Sequence, residues 1–217
     1  MTAQSPVTLP LRSAAGADLG TIAADQSWFG IEPNMSVLHQ VVTAQLAARR
    51  SGTQSTKTRA EVARSGRKSR RQKGGGTSRQ GSMRSPNWIG GGVALGPKPR
   101  KYVQRTPKKM VNLALRSALS DRASDGHVLV INEFIWSVPK TKDGLASLKA
   151  LGVDGRVLLV CNPSTESELV AAKSLRNVPA VQLIDAGELN AYDVLLNDWI
   201  VFTQATVPGA PASEESK

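Results

Sequence analysis

From Arg49 to Lys109 the sequence carries eighteen Lys and Arg against a single acid, Glu61, with ten glycines and few large aliphatic side chains. A stretch of about 60 residues with that composition repels itself and has too little apolar surface to bury, so it is not expected to pack as a domain alone. It leaves only ten of the chain's 28 bases, and sixteen of its 17 acids, to the remainder. The segment is therefore near +17 and the rest near −6, and the overall +11 describes a grafted polycation. A polyanion is the natural agent to order it, with RNA or DNA phosphate as the leading partner.

The remaining residues predict one compact domain. At 217 residues and 40% hydrophobic content, the chain supports a single core interrupted by a sizeable insertion. The lone cysteine, Cys161, closes the apolar run Val157-Leu-Leu-Val-Cys. That placement predicts a buried strand position in a reducing compartment, with no disulfide within the chain. Met1 to Leu11 lack a basic stretch followed by an apolar one, and no apolar run reaches the roughly 20 residues of a membrane span. A cytoplasmic protein with no membrane partner is expected.

Hydrophobic spacing outlines the domain. Residues 7–24 suggest a hairpin before a loop at Trp28-Phe29-Gly30, and Leu38, Val41, Val42, Gln45 and Leu46 recur at helical spacing over 34–50, with Asn34 or Ser36 as N-cap. No sustained period runs through 51–105, which is expected to be an extended loop. Thr106-Pro107 then predicts a helix start, with Met110, Leu113, Ala114 and Ser117 on one face. Strands over 127–134, 156–162, 180–185 and 199–203 alternate with helices over 141–151, 164–176 and 187–196. That alternation predicts an α/β fold, a mainly parallel sheet flanked by helices in a Rossmann-like arrangement. The expected organisation is a globular domain from 1–50 and 106–207, a loop over 51–105, and a disordered polar tail over 208–217.

Catalytic and cofactor signatures are missing. The strand-to-helix junctions Asn132-Glu-Phe-Ile-Trp-Ser-Val-Pro and Asn162-Pro-Ser-Thr-Glu lack the glycines that let a backbone approach a pyrophosphate. Gly91 and Gly96 have phosphate-loop spacing, but Pro97 follows where a lysine is required. His39 and His127 are far apart without metal-spaced neighbours, and Glu133, Asp185, Glu188, Asp193 and Asp198 are scattered as caps and surface charges are. No cofactor, metal or enzymatic activity is expected.

The basic segment has the chemistry of an RNA surface. Arginine forks grip phosphates and stack on bases, lysines act as point charges, and glycines remove bulk between backbone and nucleic acid. Trp88 and Tyr102 each offer a ring to an exposed base; for Trp88 the alternative is an apolar anchor at the base of the loop.

The order of motifs is more specific than the charge. Lys57-Thr-Arg-Ala-Glu-Val, Gly66-Arg-Lys, Arg71-Gln-Lys-Gly, Arg79-Gln-Gly-Ser-Met-Arg-Ser-Pro-Asn-Trp, Gly90-Gly-Gly-Val and Gly96-Pro-Lys-Pro-Arg together resemble the family of bacterial large-subunit ribosomal protein L-four. His39-Gln-Val-Val, Lys108-Lys-Met, Ala114-Leu-Arg-Ser-Ala-Leu-Ser-Asp and Leu189-Asn-Ala-Tyr-Asp-Val-Leu extend the resemblance over nearly the whole chain. It implies an α/β domain on the solvent side of the large subunit and a long loop threaded into 23S rRNA early in assembly. Its partners would be that rRNA, neighbouring ribosomal proteins and, at the loop tip, the nascent peptide in the exit tunnel. The expected rRNA contacts are Lys57, Arg59, Arg64, Arg67, Lys68, Arg70, Arg71, Lys73, Arg79, Arg84, Trp88, Lys98, Arg100 and Tyr102. The expected tip is Arg71, Gln72, Lys73, Gly74, Gly75 and Gly76. Folded back at its middle, the loop reaches at most ~90 Å.

The chain departs from that family's pattern near the tip. Ser69 replaces a proline, Arg70 an aromatic, Gly75 a threonine and Thr77-Ser78 an Arg-Ala pair, which makes the tip more flexible. Ile89 stands where a base is common, so a phosphate contact is expected to be missing there. The alternative function is an RNA-binding regulator of the chain's own messenger RNA.

Overall fold

The computed structural model describes residues 7–134, 136–162 and 165–209. Residues 210–217 of the expected tail, and Ser164 at the expected start of a helix, lie outside them. Contacts divide the chain into two compact units, one from the described residues of Met1–Gln45 and Arg105–Lys217, the other from Leu46–Gln104.

The first unit opens with strands β1 (Thr8–Arg12) and β2 (Asp18–Ala23), an antiparallel hairpin. A short helix α1 (Gln26–Phe29) follows where the sequence suggested a loop. Asp25 caps it, its Oδ1 accepting from the Ser27 amide at 2.8 Å. Helix α2 (Met35–Ala48) is capped by Asn34, whose Oδ1 accepts from the Val37 amide at 3.1 Å. Helix α3 (Lys108–Ser124) starts one residue later than its Thr-Pro signal indicated, with Pro107 in the capping position.

Strand β3 (Val128–Ile131), helix α4 (Thr141–Ala150), β4 (Val157–Cys161), α5 (Glu166–Leu175) and β5 (Val181–Asp185) come next. The helix expected over 187–196 is broken. A 3-10 turn (Ala186–Glu188) precedes α6 (Ala191–Leu196), because the Asn190 side chain accepts from the Asp193 amide at 3.0 Å and restarts the helix there. Strand β6 (Trp199–Thr203) completes the unit.

The six strands form one sheet in the order β2-β1-β3-β6-β4-β5, in which every pairing but β1-β2 is parallel. Successive residues of its inner strands serve opposite layers. Val128, Val130, Leu158, Val160, Ile200 and Phe202 pack with Leu38 and Val41 of α2, Leu119 of α3 and Val194 of α6. Leu129, Ile131, Leu159 and Val201 pack on the other face with Ala171 and Leu175 of α5 and Leu148 of α4. This is an α/β fold with helices on both faces, and it explains why β3 and β4 are apolar without interruption.

Two polar details lie inside this core. The buried Thr206 hydroxyl accepts from the Thr203 amide at 3.0 Å and approaches the Val160 carbonyl at 3.0 Å, tying the end of β6 to β4. Cys161 is buried at the end of β4, and burial, with Glu168 and Asp185 nearby, pushes its thiol up to about 11. Such a thiol is a core residue, not a nucleophile. No group of three or more His, Cys, Asp or Glu among the described residues is arranged to hold a metal, and none of their helices is long and apolar enough to cross a membrane.

Candidate nucleic-acid interface

Residues 49–107 contain no helix or strand, only an isolated antiparallel bridge between Lys68 and Ser82. Their backbone nevertheless has a register. The Arg100 amide donates to the Gly52 carbonyl, Thr56 to Pro97 and Val93 to Lys57, at 2.9–3.2 Å. With the Lys68–Ser82 bridge, these pairs describe two arms running antiparallel and reversing around residues 75–77.

Glycine permits the arms to lie this close. A Cβ on Gly92 would stand 2.3 Å from the Arg59 nitrogen, and one on Gly52, where φ is +60°, 2.0 Å from the Arg100 carbonyl oxygen. The tip differs, because a Cβ on Gly74 or Gly76 would meet nothing within 4 Å. Gly52 and Gly92 thus let the arms approach each other, a role that composition alone does not show.

Side chains add cross-ties. Glu61 accepts from the Thr58 amide at 2.9 Å and from the Lys98 ammonium of the opposite arm. The Lys98 contact, then the Thr58 amide, hold its carboxyl below the ordinary glutamate range. The Thr58-x-x-Glu61 spacing, a capping-box pattern, was the legible signal for this turn. Arg64 donates to the carbonyls of Ile89 at 2.7 Å and Met83 at 3.2 Å, and Arg84 returns a bond from Nε to the Arg64 carbonyl at 2.6 Å. Toward the ends of the arms, the guanidiniums of Arg50 and Arg100 lie over the Tyr102 ring at 3.9 and 4.2 Å, and Gln54 donates to its hydroxyl.

The sequence profile of the ribosomal protein L4/L1 family matches residues 22–209, which take in both arms and the reversal between them. The chain belongs to this family. Proteins named large ribosomal subunit protein uL4 are similar to it over most of their length. That of Mycolicibacterium smegmatis is 48% identical over 194 residues, 89% of each chain. That of Mycobacterium bovis (strain BCG / Pasteur 1173P2) is 48% identical over 206 residues, 94% of this chain and 91% of its own. That of Frankia casuarinae is 47% identical over 198 residues, 91% of this chain and 80% of its own. These relatives are ribosomal proteins and not enzymes.

In this L4-family chain the expected contact residues fall into two groups. The side chains of Lys57, Arg59, Arg67, Arg70, Arg71, Lys73 and Arg79 are exposed and make no hydrogen bond or ion pair among the described residues. Arg67, Arg70 and Arg71 line, with Lys68, Ser65, Ser69 and Met83, a cleft of about 460 Å³ beside the reversal. Lys68 also reaches Gln72. The second group is engaged within the segment. Arg64, Arg84 and Lys98 tie the arms, Arg100 and Tyr102 cover each other, and Trp88 is half-buried, with its indole nitrogen enclosed and unpartnered. Ile89 is open to solvent, but Arg64 of the other arm brings a guanidinium to its carbonyl, so this corner retains a positive charge.

Proposed function

We propose that this chain is a structural constituent of the large ribosomal subunit in the cytoplasm. It binds 23S rRNA early in assembly through the loop over 51–105, while the domain formed by 1–50 and 106–207 packs against rRNA and neighbouring ribosomal proteins. The observation that carries this reading is the group of exposed, internally unpartnered bases around the reversal, in a chain of the L4 family. Free guanidiniums and ammoniums around a cleft grip phosphates, and the release of counterions supplies the affinity. Arg71, Gln72, Lys73, Gly74, Gly75 and Gly76 are the part assigned to the exit tunnel, beside the nascent peptide.

Sedimentation of a lysate in low and high salt tests the placement. Co-migration with the large subunit that survives high salt is expected; release at modest salt would leave only a surface polycation. For the contacts, alanine replacements of Arg67, Arg70, Arg71 and Lys73 should weaken rRNA binding. Each lost phosphate contact should lower the log-log salt slope by about 0.7–0.9. An unchanged slope would remove these residues from the interface. A photo-cross-linker at Gly75 should label nascent peptide on translating ribosomes, and labelling of rRNA alone would withdraw the tunnel assignment.

A further inference from the structure

A segment with eighteen bases and one acid poses a question that charge alone cannot answer. A carboxylate in a polyanion-binding surface repels phosphate, so on electrostatic grounds Glu61 weakens the interface it belongs to. Its geometry supplies the reason for its presence. Glu61 closes a turn on Thr58 and takes the Lys98 ammonium from the other arm, 37 residues away in sequence. Just before Glu61 on the first arm, the Lys57 carbonyl accepts from the Val93 amide, and the Thr56 amide donates to the Pro97 carbonyl. Just after it on the same arm, Arg64 donates to the Ile89 carbonyl of the other arm, and Arg84 of that arm donates to the Arg64 carbonyl. On the second arm Lys98 follows Pro97, so the Glu61–Lys98 contact runs diagonally past these ties; it is the one ion pair that joins the arms among the described residues, and Glu61 lies in sequence between Arg59 and Arg67, two of the free bases.

We propose that Glu61 and Lys98 are positioning residues of the RNA interface: they lock the arms in register so that the free bases face the nucleic acid together, and Lys98 is not itself a phosphate ligand. This rests on the rRNA-binding reading above. An exposed ion pair contributes little to global stability, so its value lies in register, and the unit gains less by adding a cation than it loses by freeing the arms.

The test sets charge against geometry. Full-length chain is titrated against a 23S rRNA transcript of Mycolicibacterium smegmatis over a range of salt, using Glu61→Gln, Lys98→Gln and the swapped pair Glu61→Lys with Lys98→Glu. Removing the only acid raises the net charge, so a phosphate-attraction surface would bind tighter. Positioning predicts a severalfold loss of affinity for both single variants with the salt slope unchanged, and recovery in the swapped pair. Tighter or equal binding by Glu61→Gln, a slope lowered by about 0.7–0.9 in Lys98→Gln, or no recovery on swapping would overturn the proposal. If wild-type chain fails to bind the transcript, it is the rRNA reading that falls. The clamp is then judged by amide exchange at Thr58 and Val93: faster exchange in Glu61→Gln retains it, and equal rates reject it.

Discussion

The two units of this chain are stabilised in opposite ways. In the α/β unit, large side chains such as Phe202, Leu119, Leu158 and Ile200 are fully enclosed, and hydrophobic burial stabilises the sheet and its two helical layers. Between residues 46 and 104 no hydrophobic side chain is buried; Ile89 and Leu95 are 96% and 106% exposed, and the enclosed positions are the glycines at 52 and 92. There the arms are held by backbone hydrogen bonds and a few charged cross-ties, each weak in water. A region built this way draws its order from the register of its arms, whereas the α/β unit draws its order from buried side chains.

Substitutions sharpen the contrast. The largest effect is expected at Phe202, which sits in the central strand and meets Phe29 edge-on at 6.3 Å. Phe202→Ala should cost about 3–5 kcal/mol in urea unfolding followed by circular dichroism, while Ile89→Ala should stay within about 0.5 kcal/mol. A comparable loss from the two would break the distinction. Next comes Thr206→Val, which keeps the shape but strips the Thr203 amide of its acceptor; about 1–3 kcal/mol is expected by the same measurement.

The smallest effect is that of acid on the cross-arm tie. The carboxyl of Glu61 has a lower pKa folded than unfolded, so its contribution is complete above the unfolded value and is lost as pH falls through the folded one. Amide exchange at Thr58 should therefore accelerate on acidification below the ordinary glutamate range, beyond the intrinsic change, and Glu61→Gln should abolish that acceleration. Because the group is exposed, global unfolding should barely register it.

What the sequence revealed follows the same division. Val128–Ile131 and Val157–Cys161 read as strands because burial on both faces demands unbroken apolar runs. The α/β class followed from their alternation with helices. The parallel pairing of β1 with β3 was not legible, since local pattern carries no information about which distant strand a hairpin edge will join. The break before α6 was written in Asn190 and Asp193 as a cap, but a helix-period reading ran across it. In the basic segment, charge located the candidate interface, yet it could not separate Arg67 and Arg71 from Arg64 and Lys98. All four look alike in composition, and only the fold-back shows which side chains are engaged by the other arm.

The position of β6 in the sheet bears on how this protein is made. Because β6 lies between β3 and β4, the parallel strands stay in two separate groups until Trp199–Thr203 has been synthesised, roughly 90 residues after Lys109. Translation delivers the N-terminal parts first, so the polycation is complete well before the core can close. For that interval the newborn chain is a charged strap tied to an open sheet, free to meet any nucleic acid near the ribosome that is making it.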